Sequence, residues 1–155
     1  MMKTLFKIMA SLMMIISFSG CSDNDEPMPP STLPVTYANI DGIWQLAKWN
    51  GQPTPEGTYC YIVFSRKERT FSMYQKFDSM YPRTITGTFV LEDEDDANPM
   101  RAIISGTYHY GMGTWNHTYL ISELTEEGTM LWTATDDETD VCLYQKCEEL
   151  PEEVK

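Results

Sequence analysis

Short β-rich runs separated by turn-forming residues constrain this chain more than any other feature of its sequence. Apolar residues between positions 37 and 146 do not recur at helical spacing, and clusters of Gly, Pro, Asn and Asp separate the runs. Eight runs are found, and they begin at Gly42, Thr58, Thr70, Arg83, Arg101, His117, Thr129 and Asp140. This pattern is typical of an all-β sandwich or barrel.

Alternation within the runs predicts which side chains point inward. In the fourth run Ile85 and Phe89 alternate with threonines, whereas in the last run Leu143 and Tyr144 remain alternatives. Eight sequential strands with short connections favour up-and-down order, and closure removes the unpaired edges of an open sheet. The sequence therefore predicts a single eight-stranded antiparallel up-and-down β-barrel. Its predicted lumen is lined by Trp44, Ile62, Phe64, Phe71, Met73, Phe89, Tyr108, Met130 and Trp132.

The first twenty residues have the composition of an export signal. Two lysines precede an apolar run at residues 8–18, which is shorter than the roughly 20 residues of a membrane-spanning helix. The sequence FSGC at residues 18–21 then resembles the lipobox of bacterial lipoproteins, with Phe18 where leucine is usual. The resemblance implies that residues 1–20 are a removed signal peptide and that Cys21 is the new N-terminus, anchored to a membrane by acyl chains such as palmitate.

Both ends of the mature chain are predicted to be exposed. Residues 21–36 contain four prolines and an acidic cluster at residues 23–26, a composition typical of a flexible tether. The acidic cluster resembles the surface-export signal of Bacteroidetes lipoproteins, with a generic solvated linker as the alternative. Residues 148–155 form a short acidic tail, so the barrel domain is predicted at residues 37–147.

The charge of the mature chain excludes polyanionic partners. Without the signal peptide the chain has 9 basic and 23 acidic side chains, a formal charge of −14. Such a surface repels phosphate backbones and anionic headgroups, so we expect no nucleic-acid partner. The acidic loops at residues 92–96 and 136–140 lack the spacing of a calcium-binding loop, and the sequence contains no glycine-rich phosphate-binding loop. We therefore expect neither a metal nor a cofactor.

The start of the first run resembles the opening motif of the lipocalin (calycin) superfamily. The matching residues are Gly42 and Trp44, and the resemblance implies that this tryptophan plugs the closed end of the barrel. The stretches GIWQLAKWNG, FSMYQKF, TGTF and LPEEVK, together with the lipoprotein signal, resemble small lipocalin-like lipoproteins of Bacteroidetes. The arginine that commonly packs on the motif tryptophan is replaced near the last strand by Gln145 and Lys146.

An aromatic segment at residues 107–119 contains both histidines, His109 and His117. Imidazole binds zinc and transfers protons, but metal sites need three or four converging ligands and none lies at a supporting spacing. An exposed aromatic hairpin is therefore the expectation, with Tyr110 and Trp115 as barrel-rim aromatics that stack on a sugar or another planar molecule. No catalytic residue is predicted.

Three cysteines remain once Cys21 is lipidated, so at most one internal disulfide can form. Cys60 and Cys142 lie on strands two positions apart in a closed barrel, about 9.5 Å, which exceeds disulfide reach. We expect these two thiols to be reduced and buried, and Cys147 to be exposed. Ser79 lies in Asp-Ser-Met, which resembles an O-glycosylation signal of the same bacterial group, with a plain turn as the alternative.

Two functions follow as expectations. The first is a monomeric, non-catalytic lipoprotein of the outer membrane, facing either the periplasm or the cell surface, that binds a small apolar or amphipathic ligand in the barrel or at its mouth. The alternative is a filled barrel that acts as a protein-interaction or structural module in a cell-envelope assembly. An open lumen favours the first, and an internally filled barrel with an apolar outer patch favours the second.

Overall fold

The computed structural model describes residues 29–77, 81–94 and 98–154, and these residues form an all-β fold. The nine strands are β1 (Gly42–Trp49), β2 (Gln52–Pro53), β3 (Tyr59–Ser65), β4 (Thr70–Lys76), β5 (Arg83–Asp93), β6 (Ala102–Tyr108), β7 (Tyr119–Ser122), β8 (Thr129–Ala134) and β9 (Val141–Cys147). Two short 3₁₀ helices occupy His109–Gly111 and Glu152–Val154. Cys21 and Ser79 lie outside the described residues.

The strands close into an antiparallel up-and-down barrel. Each strand from β3 to β9 pairs with its neighbour in the chain, and β1 pairs with both β3 and β9. Ile43, for example, lies between Val63 on one side and Cys147 on the other. The two-residue strand β2 pairs only with the end of β1 and is additional to the eight barrel strands. The predicted fold class is confirmed, and each of the eight predicted runs contains one barrel strand.

One end of the barrel is closed by the residues that precede β1. Ile40, Trp44 and Leu124 are at most 1% exposed there. The Trp44 indole donates a hydrogen bond of 2.8 Å to the Ile40 carbonyl, and the Lys146 ammonium lies 5.3 Å from the centre of its ring. Lys146 thus takes the position over the tryptophan that the resemblance assigns to an arginine. We call this end, formed by Val35, Ile40, Trp44 and Leu124, the closed end.

The segment entering the closed end is fixed to the barrel. Thr32 forms a β-bridge with Thr125, and the Leu33 amide donates to the Leu124 carbonyl over 2.7 Å. Val35 is buried among core residues. The predicted tether at residues 21–36 therefore overlaps an ordered segment, because Leu33 and Val35 pack into the core of the barrel.

Between the closed end and the other end of the barrel, the lumen is filled by side chains of the strands. Of the nine predicted lumen residues, seven are buried, whereas Met73 and Tyr108 are partly buried; the buried seven are Trp44, Ile62, Phe64, Phe71, Phe89, Met130 and Trp132. In β9 it is Tyr144, not Leu143, that is buried. An eight-stranded barrel has room either for side chains or for one small ligand, and most of this one is occupied by side chains.

Two glycines in neighbouring strands make room for large rings in that core. A Cβ at Gly106 would overlap the indole of Trp115, and a Cβ at Gly87 would overlap the ring of Phe71 and the Thr107 carbonyl. The rings of Phe71 and Trp115 pack at 5.1 Å in the space so created. Glycine is used here because a ring from another strand occupies the place of its side chain.

The C-terminal residues also pack on the barrel. Val154 is buried, and Tyr61, on the outer face of β3, is buried as well. Burial raises the pKa of Tyr61, and the charges of Cys147 and Glu153 raise it further. The predicted exposed tail at residues 148–155 is wrong for Val154, which is 8% exposed.

Candidate functional site

The end of the barrel opposite the closed end opens into two adjoining cavities of about 280 and 290 Å³. Both cavities are lined by Trp49, Met73, Tyr119, Asp140 and Tyr144. We call the two cavities together the mouth. The remaining residues that line it are Leu46, Cys60, Gln75, Phe77, Arg83, Tyr108, Trp115, Asn116, His117, Trp132 and Cys142.

Trp49 reaches the mouth through a β-bulge. The register between β1 and β9 shifts between Leu46, which faces Tyr144, and Lys48, which faces Leu143. A bulge inserts one extra residue and re-aims the side chains that follow it. Strict alternation from Trp44 would place Lys48 inward, whereas the shift brings Trp49 to the rim, half exposed.

Asp140 supplies the carboxylate that lines both cavities. Its Oδ1 accepts a hydrogen bond of 2.7 Å from the Trp49 indole N–H. Burial raises the pKa of Tyr119, and the charge of Asp140 raises it further. The pKa of the Cys142 thiol is raised to about 12, mainly by burial and further by the charge of Asp140. The carboxylate therefore acts on groups within the mouth.

Seven of the sixteen residues that line the mouth are tryptophan, tyrosine or phenylalanine. Trp132 packs against Tyr144 at 4.8 Å, Tyr119 at 5.4 Å and Trp115 at 5.7 Å, measured between ring centres. On the opposite side, Trp49 and Phe77 have ring centres 6.0 Å apart. Such tilted and offset arrangements leave ring faces that can contact a planar or apolar guest.

Trp115 lies inside the barrel, so its prediction as an exposed rim aromatic is wrong. It is only 8% exposed, because its amide donates to the Gly106 carbonyl over 2.9 Å and its ring fills the space above that glycine. Its indole N–H is buried and has no hydrogen-bond acceptor among residues 29–77, 81–94 and 98–154. Leaving such a donor unpaired costs about 1–3 kcal/mol. The nitrogen lies against the backbone of Gly106.

Tyr110 is the exposed aromatic of the same hairpin. It adopts a positive φ of 62° in the turn after β6, is 92% exposed and lines neither cavity of the mouth. His109 hydrogen-bonds with the Thr86 hydroxyl on the outer face of the barrel, over 3.1 Å. His117 instead lines the mouth, and its Nδ1 donates to Asp136 over 2.7 Å. The structure therefore separates the two histidines.

The part of the chain that the structure describes contains no cluster of three or more His, Cys, Asp or Glu side chains that could hold a metal ion. Within the same residues, no helix is both long and apolar enough to cross a membrane.

The three cysteines within residues 29–154 form no disulfide with one another. Cys60 and Cys142 are buried and line the mouth, whereas Cys147 is half-buried at the other end of β9. Burial raises the pKa of the Cys60 thiol to about 12, with a further contribution from Cys142. The thiolate is the reactive form of cysteine, so these thiols behave as small apolar groups at neutral pH.

Only three of the predicted lumen residues line the mouth: Met73, Tyr108 and Trp132. The other six lie deeper, in the filled core. Alternation identifies inward-facing positions but not their depth, and it cannot foresee the bulge that brings in Trp49. Alternation with Ile121 places Tyr119 inward, whereas Asp140 is marked in the sequence only as the acid that opens the last run.

Two further depressions lie outside the mouth. One, of about 390 Å³, lies beside β2 and shares Trp49 and Phe77 with the mouth. The other, of about 850 Å³, is an outer groove whose lining includes Leu33, Ile103 and Leu120. Ile103 pairs with Leu120 on the face opposite the buried side chains of β6 and β7.

Comparisons of the chain with protein-family models, with curated proteins and with solved structures found no significant match.

Proposed function

We propose that this protein is a non-catalytic binding protein that takes a small ring-containing or amphipathic molecule at the mouth of its barrel. The observation that carries the proposal is the aromatic mouth above a filled core. Pockets for small molecules are mostly apolar clefts with a few polar groups that fix orientation. Here the rings of Trp49, Tyr119 and Trp132 provide the apolar surface, and Asp140 provides a polar group that can fix orientation.

The size of the mouth limits the ligand. Each of its two cavities, of about 280 and 290 Å³, is just below the range for ligand pockets, about 300–1,000 Å³. Phe71 and Phe89 are 1% and 2% exposed in the core below it, so these residues leave no channel for a long acyl chain. A single ring system with a short substituent fits better than a fatty acid.

The chemistry of the mouth supports binding over catalysis. Both thiols in it have a pKa raised to about 12 by burial, which removes the thiolate needed for nucleophilic attack. The His117–Asp136 pair lies at the solvent side, with 34% and 61% of the two side chains exposed. General acid–base catalysis relies on groups that meet the substrate in a shielded site.

Membrane anchoring at Cys21 is part of the proposal. The chain enters the barrel at the closed end, where Thr32 bridges to Thr125. Seven residues lie between Cys21 and Pro29, and the eight steps from one to the other span at most about 28 Å. An anchor of this length would keep the closed end near the membrane and leave the mouth facing away from it. Replacing Cys21 with serine should release the protein from membranes, and retention of the variant in the membrane fraction would contradict the anchor.

Native mass spectrometry of the full chain purified from its own host tests ligand binding. We expect the wild-type protein to show an added small-molecule mass. Trp49→Ala should lose it, because the substitution removes the ring that lies between the mouth and solvent. Val90→Ala is the matched control, since Val90 and Trp49 are both 49% exposed but Val90 lies on the outer face of β5. A bare wild-type chain would argue against a resident ligand.

A protein-contact role is the second candidate, and the outer groove of about 850 Å³ favours it. Crosslinking in the cell envelope distinguishes it from ligand binding. If contact is the role, Leu120→Asp should abolish a crosslinked complex that Trp49→Ala retains. If Trp49→Ala abolished the crosslinked complex and Leu120→Asp retained it, the complex would form at the mouth.

A further inference from the structure

Asp140 is placed where it can pair with a charged ligand. Its carboxylate lines both cavities of the mouth and is held by the Trp49 indole at 2.7 Å. A carboxylate has about four lone-pair sites; the indole occupies one of them, and a hydrogen bond with Tyr119 engages another. The fixed carboxylate therefore retains acceptor capacity toward a guest in the mouth.

Aromatic rings surround this carboxylate. Trp49, Tyr119 and Tyr144 line both cavities together with it, and Tyr119 and Trp132 have ring centres 5.4 Å apart. A cation within about 6 Å of a ring centre is attracted by the negative face of the ring. A carboxylate among aromatic faces is the arrangement that suits an ammonium group.

The other charges near the mouth do not reverse this preference. Arg83 lines one of the two cavities and is exposed. His117 is paired with Asp136, which offsets its charge when it is protonated. Asp137 lies on the same loop as Asp140. Lys48 and Lys76, which adjoin Trp49 and Phe77 in the chain, line neither cavity. Asp140 is therefore the charged side chain that lines both cavities of the mouth. The formal charge of the whole chain, −12, also attracts cations from a distance.

We propose that the mouth selects small organic cations, namely amines with an attached aromatic or apolar ring, by pairing their ammonium group with Asp140 while aromatic rings cover the rest. This inference rests on the proposed ligand-binding function. It adds the charge of the ligand, which an aromatic mouth alone does not specify.

Three indole probes of equal ring and different charge test the inference. Tryptamine is cationic at neutral pH, tryptophol is neutral, and indole-3-acetate is anionic. Titrated calorimetrically into the full chain at physiological ionic strength, tryptamine should bind about tenfold tighter than tryptophol, and indole-3-acetate should bind weakest. Equal affinities for tryptamine and tryptophol would overturn the cation preference while leaving ligand binding at the mouth intact. Tighter binding of indole-3-acetate would overturn it and assign the charge selection to Arg83.

Asp140→Asn tests the residue itself. It keeps the size of the side chain and an acceptor oxygen for Trp49, and it should lower the preference for tryptamine over tryptophol to about threefold or less. Glu92→Gln removes the same charge on the exposed end of β5 and should leave the preference unchanged. A preference that survives in Asp140→Asn would overturn the assignment, as would the absence of binding by all three probes to the wild-type chain. In that last case native mass spectrometry decides separately whether the mouth holds another ligand.

Discussion

Two tryptophans of one strand, Trp44 and Trp49, occupy opposite ends of the barrel and differ in almost every physical respect. Trp44 is 1% exposed and donates to a backbone carbonyl, whereas Trp49 is 49% exposed and donates to the carboxylate of Asp140. Backbone carbonyls are fixed by the fold, while an ionised side chain adds charge to a surface that a guest can reach. The closed end therefore stabilises the barrel, and the mouth presents chemistry to solvent.

The first prediction uses this pair directly. Trp44→Ala should lower the free energy of unfolding by about 3–5 kcal/mol, because it removes a large buried ring and leaves a cavity. Trp49→Ala should change it by less than about 1 kcal/mol, since the ring is half exposed. Urea unfolding followed by circular dichroism measures both. Equal losses in the two variants would contradict the assignment of separate roles to the two ends.

Gly106→Ala perturbs the boundary between core and mouth. The added methyl would overlap the Trp115 indole, so we expect a loss of about 1–3 kcal/mol in unfolding free energy. Thr107→Ala, the exposed neighbour in β6, is the control and should stay within about 0.5 kcal/mol. If Gly106→Ala were as stable as the wild type, the packing of Trp115 inside the barrel would be wrong.

The reactivity of the thiols compares the accessibility of the two ends, because Cys60 and Cys142 line the mouth and Cys147 lies near the closed end. A pKa of about 12 leaves roughly one Cys60 thiol in ten thousand ionised at pH 8, and the pKa of Cys142 is raised to a similar value. Burial also raises the pKa of Cys147, but this thiol is only half-buried near the closed end. Iodoacetamide followed by peptide mass mapping of the Cys21→Ser chain should modify Cys147 first. Faster labelling of Cys60 or Cys142 would show that the mouth is more open than described.

The smallest effect concerns His117 at the rim. Its hydrogen bond to Asp136 raises its pKa above 6.5, and neighbouring charges of Asp136, Asp140 and Asp137 add to this. A raised pKa in the folded state stabilises the protein fully below the unfolded pKa, and this contribution is lost as pH rises through the folded value. An NMR titration of the imidazole should show the raised pKa, and Asp136→Asn should bring it back toward 6.5. An unshifted pKa for the wild-type imidazole would contradict the ion pair between His117 and Asp136.

The strands were predictable from sequence because alternation and turn residues are local properties of the chain. Features that depend on contacts between distant residues were not. The bulge in β1, which brings Trp49 to Asp140, depends on the register with β9. The inward position of Trp115 depends on the missing side chain of Gly106, which the sequence shows only as a glycine in a strand. In both cases the candidate site differs from the prediction because side chains from separate strands decide the local geometry.

The four indole N–H groups provide the most direct test of the central claim, that the mouth binds a small molecule while the closed end only stabilises the fold. Each of Trp44, Trp49, Trp115 and Trp132 gives its own signal in a ¹H–¹⁵N correlation spectrum. On titration with tryptamine, we predict that the Trp49 and Trp115 signals shift, that Trp132 shifts less, and that Trp44 stays in place. A shift at Trp44 as large as that at Trp49, or no shift at Trp49 at saturating tryptamine, would contradict binding at the mouth.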